Sequence, residues 1–146
     1  MSAAAIIFSC NQSMSSQTDN LKAPVDSLIS NLLTSFNRHN STGIRNLFLA
    51  DALLIDDNLV TKNLEELSNE WIHPNIRVVN NFKSTKLQYW STRDRAGYAG
   101  NWTLEVVVKD SVIARPTGAI TVNWMKTDKG DWKINTAHFH SLTEHK

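Results

Sequence analysis

After Pro24 the apolar residues Val25, Leu28, Ile29, Leu32, Leu33 and Phe36 recur at helical spacing. Asp26, Ser30, Asn31 and Thr34 fill the opposite face. The pattern predicts an amphipathic helix that starts at Pro24, a residue suited to a first turn, and ends near Arg38-His39. Asn40-Ser41-Thr42 supplies an N-cap for a short second helix presenting Ile44, Leu47 and Phe48. Ala52 to Ile55 predicts a short buried strand, and Asp56-Asp57-Asn58 is a turn cluster. Asn63 to Trp71 predicts a third helix, with Leu64, Leu67 and Trp71 inward and Glu65, Glu66 and Glu70 outward. His73-Pro74 is expected to stop it.

Beyond Pro74 the period changes from helical to two. Ile76-Arg77-Val78-Val79 predicts a short edge strand, and Lys86 to Ser91 another, turning at Arg93-Asp94-Arg95. Tyr98, Gly100, Trp102, Leu104, Val106 and Val108 then alternate with Ala99, Asn101, Thr103, Glu105 and Val107, and the second set is expected outside. Thr117 to Lys126 predicts a strand that ends at the turn Thr127-Asp128-Lys129-Gly130. Trp132 to His140 is the last strand, with Trp132, Ile134, Thr136, His138 and His140 on one face. Helices followed by long antiparallel strands are the α+β pattern, with a curved sheet able to wrap over the first helix.

Composition narrows the function classes. The 146 residues include 15 Lys+Arg against 14 Asp+Glu, which gives no electrostatic case for nucleic acid. One Cys makes neither an internal disulfide nor a four-Cys zinc site. No apolar run reaches the length of a membrane-spanning helix.

The first 22 residues are read apart from the single domain expected over 23–146. Ser2 to Ser9 is small and apolar and ends at Cys10; residues 11–23 are polar and aperiodic, like a tether. Ile7-Phe8-Ser9-Cys10 resembles a loose bacterial lipobox, with Cys10 as the lipid-bearing residue. A translation start lying upstream would supply the basic residues and the longer apolar run that such a signal needs. The expectation is then a periplasmic or membrane-anchored lipoprotein, with the cytoplasm as the alternative and Cys10 as the sole membrane attachment.

Three segments carry a family resemblance. Ile44-Arg45-Asn46-Leu47-Phe48-Leu49-Ala50-Asp51-Ala52, the Ala96-to-Leu104 stretch with Gly100-Asn101-Trp102, and Lys129-Gly130-Asp131-Trp132-Lys133-Ile134 followed by His138 resemble the nuclear transport factor 2-like, or cystatin-like, superfamily. Within it they are most similar to SnoaL-like and ketosteroid-isomerase-like bacterial proteins. The resemblance covers about residues 24–142. It implies a cone: a strongly curved, mostly antiparallel sheet wrapped around the N-terminal helices, with a pocket between the sheet and the first helix. The fold alone does not fix the chemistry.

The resemblance places Asp56 where ketosteroid isomerase has its general-base Asp, at the end of the first strand. An Asp beside an apolar cavity can shuttle a proton alpha to a carbonyl. The oxyanion-hole Tyr of that enzyme falls on Leu32, which donates no hydrogen bond. Asp56 can equally be a turn-capping carboxylate. His138 and His140, two apart on a strand, share a face. His138 matches a His that often lines the family's pocket and could act as acid or base near neutral pH. A zinc site would need a third ligand, so neither metal nor cofactor is expected. Trp102 and Trp132 share the alternation with Gly100 and His138 and are placed in the pocket. The expected lining is Tyr98, Trp102, Trp132, Leu32 and His140, with Asp56 and His138 as acid–base candidates. Trp124, Ile120 and Val122 are assigned to the opposite face, as an apolar patch for a homodimer formed through the sheet. The leading expectation is binding of a small hydrophobic or aromatic molecule. The alternatives are an isomerase, cyclase or dehydratase using Asp56 or His138, and a non-catalytic dimeric assembly domain.

Overall fold

A computed structural model describes residues 23–142. Cys10 and the lipobox expectation lie outside the described residues. The chain runs α1 (Val25–Asn37), α2 (Ser41–Asn46), β1 (Phe48–Asp56), β2 (Leu59–Thr61) and α3 (Leu64–Glu66). A π-helical segment (Leu67–Ile72) leads to α4 (His73–Ile76). Then come β3 (Val79–Ser91), β4 (Arg95–Val108), β5 (Ser111–Ala114), β6 (Thr117–Lys126) and β7 (Trp132–Ser141). The strands form one curved sheet in the order β2-β1-β7-β6-β4-β3, with β5 paired to the far end of β4. Neighbours are antiparallel except β1 and β7, which are parallel.

The helix α1 forms because its stripe Val25, Ile29, Leu32 and Phe36 finds the concave face of the sheet; all four are buried. Its last residue, Asn37, locks it to β3. The Asn37 amide Nδ2 donates to the Phe82 carbonyl at 2.9 Å, and Asn37 Oδ1 accepts from the Phe82 N–H at 2.7 Å. The register of β3 against β4 slips at this place, between Asn80 and Lys83. Asn40 caps α2 by accepting from the Gly43 N–H, and Asn63 caps α3 by accepting from the Glu65 and Glu66 N–H groups.

Several expectations are corrected. The third helical stretch passes through His73-Pro74 and ends at Ile76, because Pro74 stands in the first turn of α4, where no intrahelical N–H is needed. Ile76-Arg77-Val78 is accordingly not strand, and β3 begins at Val79. The strand expected at Ala52 to Ile55 is part of the longer β1, whereas β2 and β5 carry no clean period-two signal and are not foreseen in the sequence. Trp124 lies inside: Ile120, Val122 and Trp124 are buried on the concave face, so the apolar patch expected there is core. The outer face of β6 carries Thr117, Ala119, Thr121, Asn123 and Met125 instead.

The faces of β7 also depart from simple alternation. Asn123 pairs with Thr136 but Trp124 pairs with Ile134, so Asn135 is an extra residue, a bulge. The bulge swaps the faces: Ile134 is buried before it, Ala137 and Phe139 after it. His138 and His140 share a face, but that face is the exposed outer one.

Candidate functional site

One end of the core is hollow. A half-open cavity of about 220 Å³ lies between the C-terminal end of α1, the π-helical segment, α4 and the sheet. Phe36, Asp56, Trp71, Asn75, Val78, Val79, Phe82, Trp102, Leu104, Val106, Pro116, Phe139 and Ser141 line it. The rings prop one another edge-on. Phe36 meets Trp71 at 5.1 Å and Phe82 at 5.5 Å between centroids, and Phe82 meets Trp102 at 6.4 Å. Phe139 closes the circuit, tilted at 43° to Trp71 and to Phe82, with centroids at 5.0 and 6.3 Å.

Asp56 is the charged group on this wall. It ends β1, and Trp71 Nε1 donates to its Oδ2 at 2.6 Å. Trp71 reaches it from the π-helical segment, whose wider winding turns the indole toward the sheet end. Partial burial pushes the Asp56 carboxyl above its ordinary value; the Trp71 N–H opposes this, the neighbouring Asp57 adds to it, and His138 opposes it weakly.

Asp57 has the opposite environment. It points outward, with a backbone φ of 43° that an Asp tolerates in a tight turn. The Ser141 hydroxyl and backbone N–H, followed by His140, hold its carboxyl below the ordinary range. The Ser141 N–H lies 3.1 Å and His140 Nδ1 3.2 Å from Asp57 Oδ1. This cluster ties the β1–β2 turn to the end of β7 and so fixes where Asp56 sits.

The residues expected around the pocket divide into two groups. Asp56 and Trp102 border the cavity. Trp102 is held there by its Nε1 donating to the Ala119 carbonyl at 3.0 Å, and it lies across Gly118, where any side chain would collide with the indole. The other five lie elsewhere. Leu32 and Tyr98 are buried in the filled part of the core, with the Tyr98 hydroxyl 2.8 Å from Ser84 Oγ. Trp132 sits near the turn end of the sheet, with the Lys126 ammonium 5.9 Å from its ring centroid. His138 and His140 point outward because of the Asn135 bulge. Among the described residues, no three His, Cys, Asp or Glu side chains gather as they would around a metal ion.

Sequence reasoning missed Trp71, Phe36, Phe82 and Phe139 as lining residues. Helical spacing puts Trp71 on an inward face, but a partner fifteen positions away carries no local signal. Strict alternation puts Phe139 on the other face, and the bulge at Asn135 turns it inward.

No protein-family model matches the chain, and no curated protein sequence does. Solved structures do. A nuclear transport factor 2-like superfamily protein from Salmonella enterica superposes with a TM-score of 0.70 at 14% identity, covering 84% of this chain and 91% of that one. A ketosteroid isomerase-like protein from Erwinia carotovora gives 0.69 at 14% identity, covering 82% and 94%. A cystatin-like-fold protein of unknown function from Nostoc punctiforme gives 0.65 at 13% identity, covering 82% and 90%. With its helices enclosed by a strongly curled, mostly antiparallel sheet, this chain has the nuclear transport factor 2-like, or cystatin-like, fold.

Proposed function

We propose that the protein binds a small hydrophobic or aromatic molecule in the cavity at the hollow end of its core. The observation that carries this reading is a cavity of about 220 Å³ walled by five aromatic rings with a carboxylate at its edge. Its size favours a small ligand. A dry apolar cavity of about 150 Å³ already holds benzene, and drug-sized ligands need roughly 300–1,000 Å³. Single-ring compounds fit the space better than four-ring ones.

The test is a fluorescence titration with monocyclic aromatics, since Trp71 and Trp102 line the cavity. Quenching and a raised melting temperature are expected for the unmodified protein. Both should vanish in Leu104→Trp, which fills the cavity. Equal responses in the two proteins, or none in either, would overturn the reading.

A second reading, acid–base catalysis by Asp56, is favoured by the placement of this carboxyl on the cavity wall and by its raised proton affinity. His138 does not join it, being on the outer face. Under this reading Asp56→Asn abolishes turnover of a carbonyl substrate while binding persists.

Pairing of two copies through the outer face of the sheet also remains a proposal. Trp90, half exposed across Gly97, supports it now that Trp124 is core. Light scattering that shows a dimer for the parent and a monomer for Trp90→Glu would support it; a monomeric parent would not.

A further inference from the structure

We infer that the ligand of this cavity is a small organic cation, an aromatic or aliphatic amine whose ammonium group meets Asp56. The inference rests on the reading above that the cavity takes a ligand, and it adds the ligand's charge and its hydrogen-bonding sense.

Among the described residues, the hydrogen-bond donors on the cavity wall are already engaged apart from the second N–H of Asn75. Trp71 Nε1 donates to Asp56, and Trp102 Nε1 donates to the Ala119 carbonyl. The Ser141 hydroxyl serves Asp57, and one N–H of the Asn75 amide donates to the Trp71 carbonyl at 2.8 Å. What the wall offers in surplus is acceptors: the free lone pairs of the Asp56 carboxylate and the Asn75 oxygen. Among the described residues, no Lys, Arg or His lines the space. His138, the basic group whose field reaches Asp56, stands on the outer face of the sheet.

A carboxylate or phosphate ligand would therefore meet a like charge and find almost no donor. A carbonyl ligand would lack the donor pair that stabilises an oxyanion. An ammonium reverses both faults. It supplies the donors that Asp56 and Asn75 lack, and its charge is attracted by the carboxylate and by the faces of the surrounding rings. Phe36, Trp71, Phe82, Trp102 and Phe139 make this cavity a cage of the kind that suits ammonium groups.

The test uses three probes of one size: 2-phenylethylamine, 2-phenylethanol and phenylacetate, titrated into the full chain by calorimetry at pH 8. The amine should bind about tenfold tighter than the alcohol or better, and phenylacetate weakest. Asp56→Asn should remove the advantage of the amine and weaken the amine more than the alcohol, because only the amine pairs a charge of its own with the carboxylate. An alcohol or phenylacetate that binds as tightly as the amine overturns the inference and leaves the binding reading standing. An amine affinity untouched by Asp56→Asn overturns it too. Silence from all three probes overturns both. The ranking is read on the unmodified protein, so it does not depend on the variant folding.

Discussion

The described core of this protein has two ends built from similar residues, one packed and one hollow. At the filled end Leu32, Tyr98, Ile120, Val122, Trp124, Ile134 and Ala137 pack with almost no exposed area. At the other end Phe36, Trp71, Phe82, Trp102 and Phe139 enclose about 220 Å³. Branched aliphatics interlock at native density and leave little void. At the hollow end the rings are pinned in place. Trp71 is held by Asp56, Trp102 by Ala119, and Phe82 by the two bonds of Asn37. The hollow end of this core is thus walled by anchored aromatics.

That comparison can be broken most sharply at Leu32, which is fully buried. Leu32→Ala should cost about 2–5 kcal/mol in urea unfolding, the range for opening a void in a packed core. A loss near zero would mean that the filled end is not filled.

Trp71→Phe probes the anchoring at the hollow end. It keeps a ring but removes the N–H that serves Asp56, and should cost about 1.5–3 kcal/mol at neutral pH. Carbon-13 NMR titration should show the Asp56 carboxyl moving further up, since the hydrogen bond that opposed burial is gone.

Overfilling sharpens the contrast. Ala137→Leu at the packed end should cost about 1–3 kcal/mol, whereas Leu104→Phe into the cavity should change stability by less than about 1 kcal/mol. Equal costs would erase the distinction between the ends.

The smallest effects are in pH dependence, where the adjacent carboxyls should behave oppositely. The folded-state value of Asp56 lies above the ordinary 3.8, so its ionised form is a cost that appears as pH rises through that window. Asp56→Asn should therefore be more stable than the parent at pH 7, with the gap closing below pH 3.8. The folded value of Asp57 is depressed, so its contribution is present above 3.8 and lost as pH falls through the lower value. Asp57→Asn should be less stable than the parent at pH 7 and equal to it in strong acid. Urea midpoints across the acid range test both signs.

Much of the fold was legible in the chain. The stripe from Val25 to Phe36, the alternation from Tyr98 to Val106 and the strand from Thr117 to Lys126 are set by period, because burial on one face demands it. The site was legible only in part: Asp56 and Trp102 border the cavity, while Leu32, Tyr98, Trp132, His138 and His140 do not. The failures have two physical causes. The bulge at Asn135 inverts the faces of β7, and a single inserted residue leaves no mark in composition. The π-helical winding from Leu67 to Ile72 aims Trp71 at a carboxylate fifteen residues earlier, a contact that no local pattern encodes.

By itself, then, the sequence determined which residues leave water and in what order helices give way to strands, since both follow from local periodicity. Only the tertiary structure decided which buried residues border empty space and which titratable groups turn inward. Those outcomes depend on register and on contacts between distant segments, and these are settled when the sheet curls around the helix.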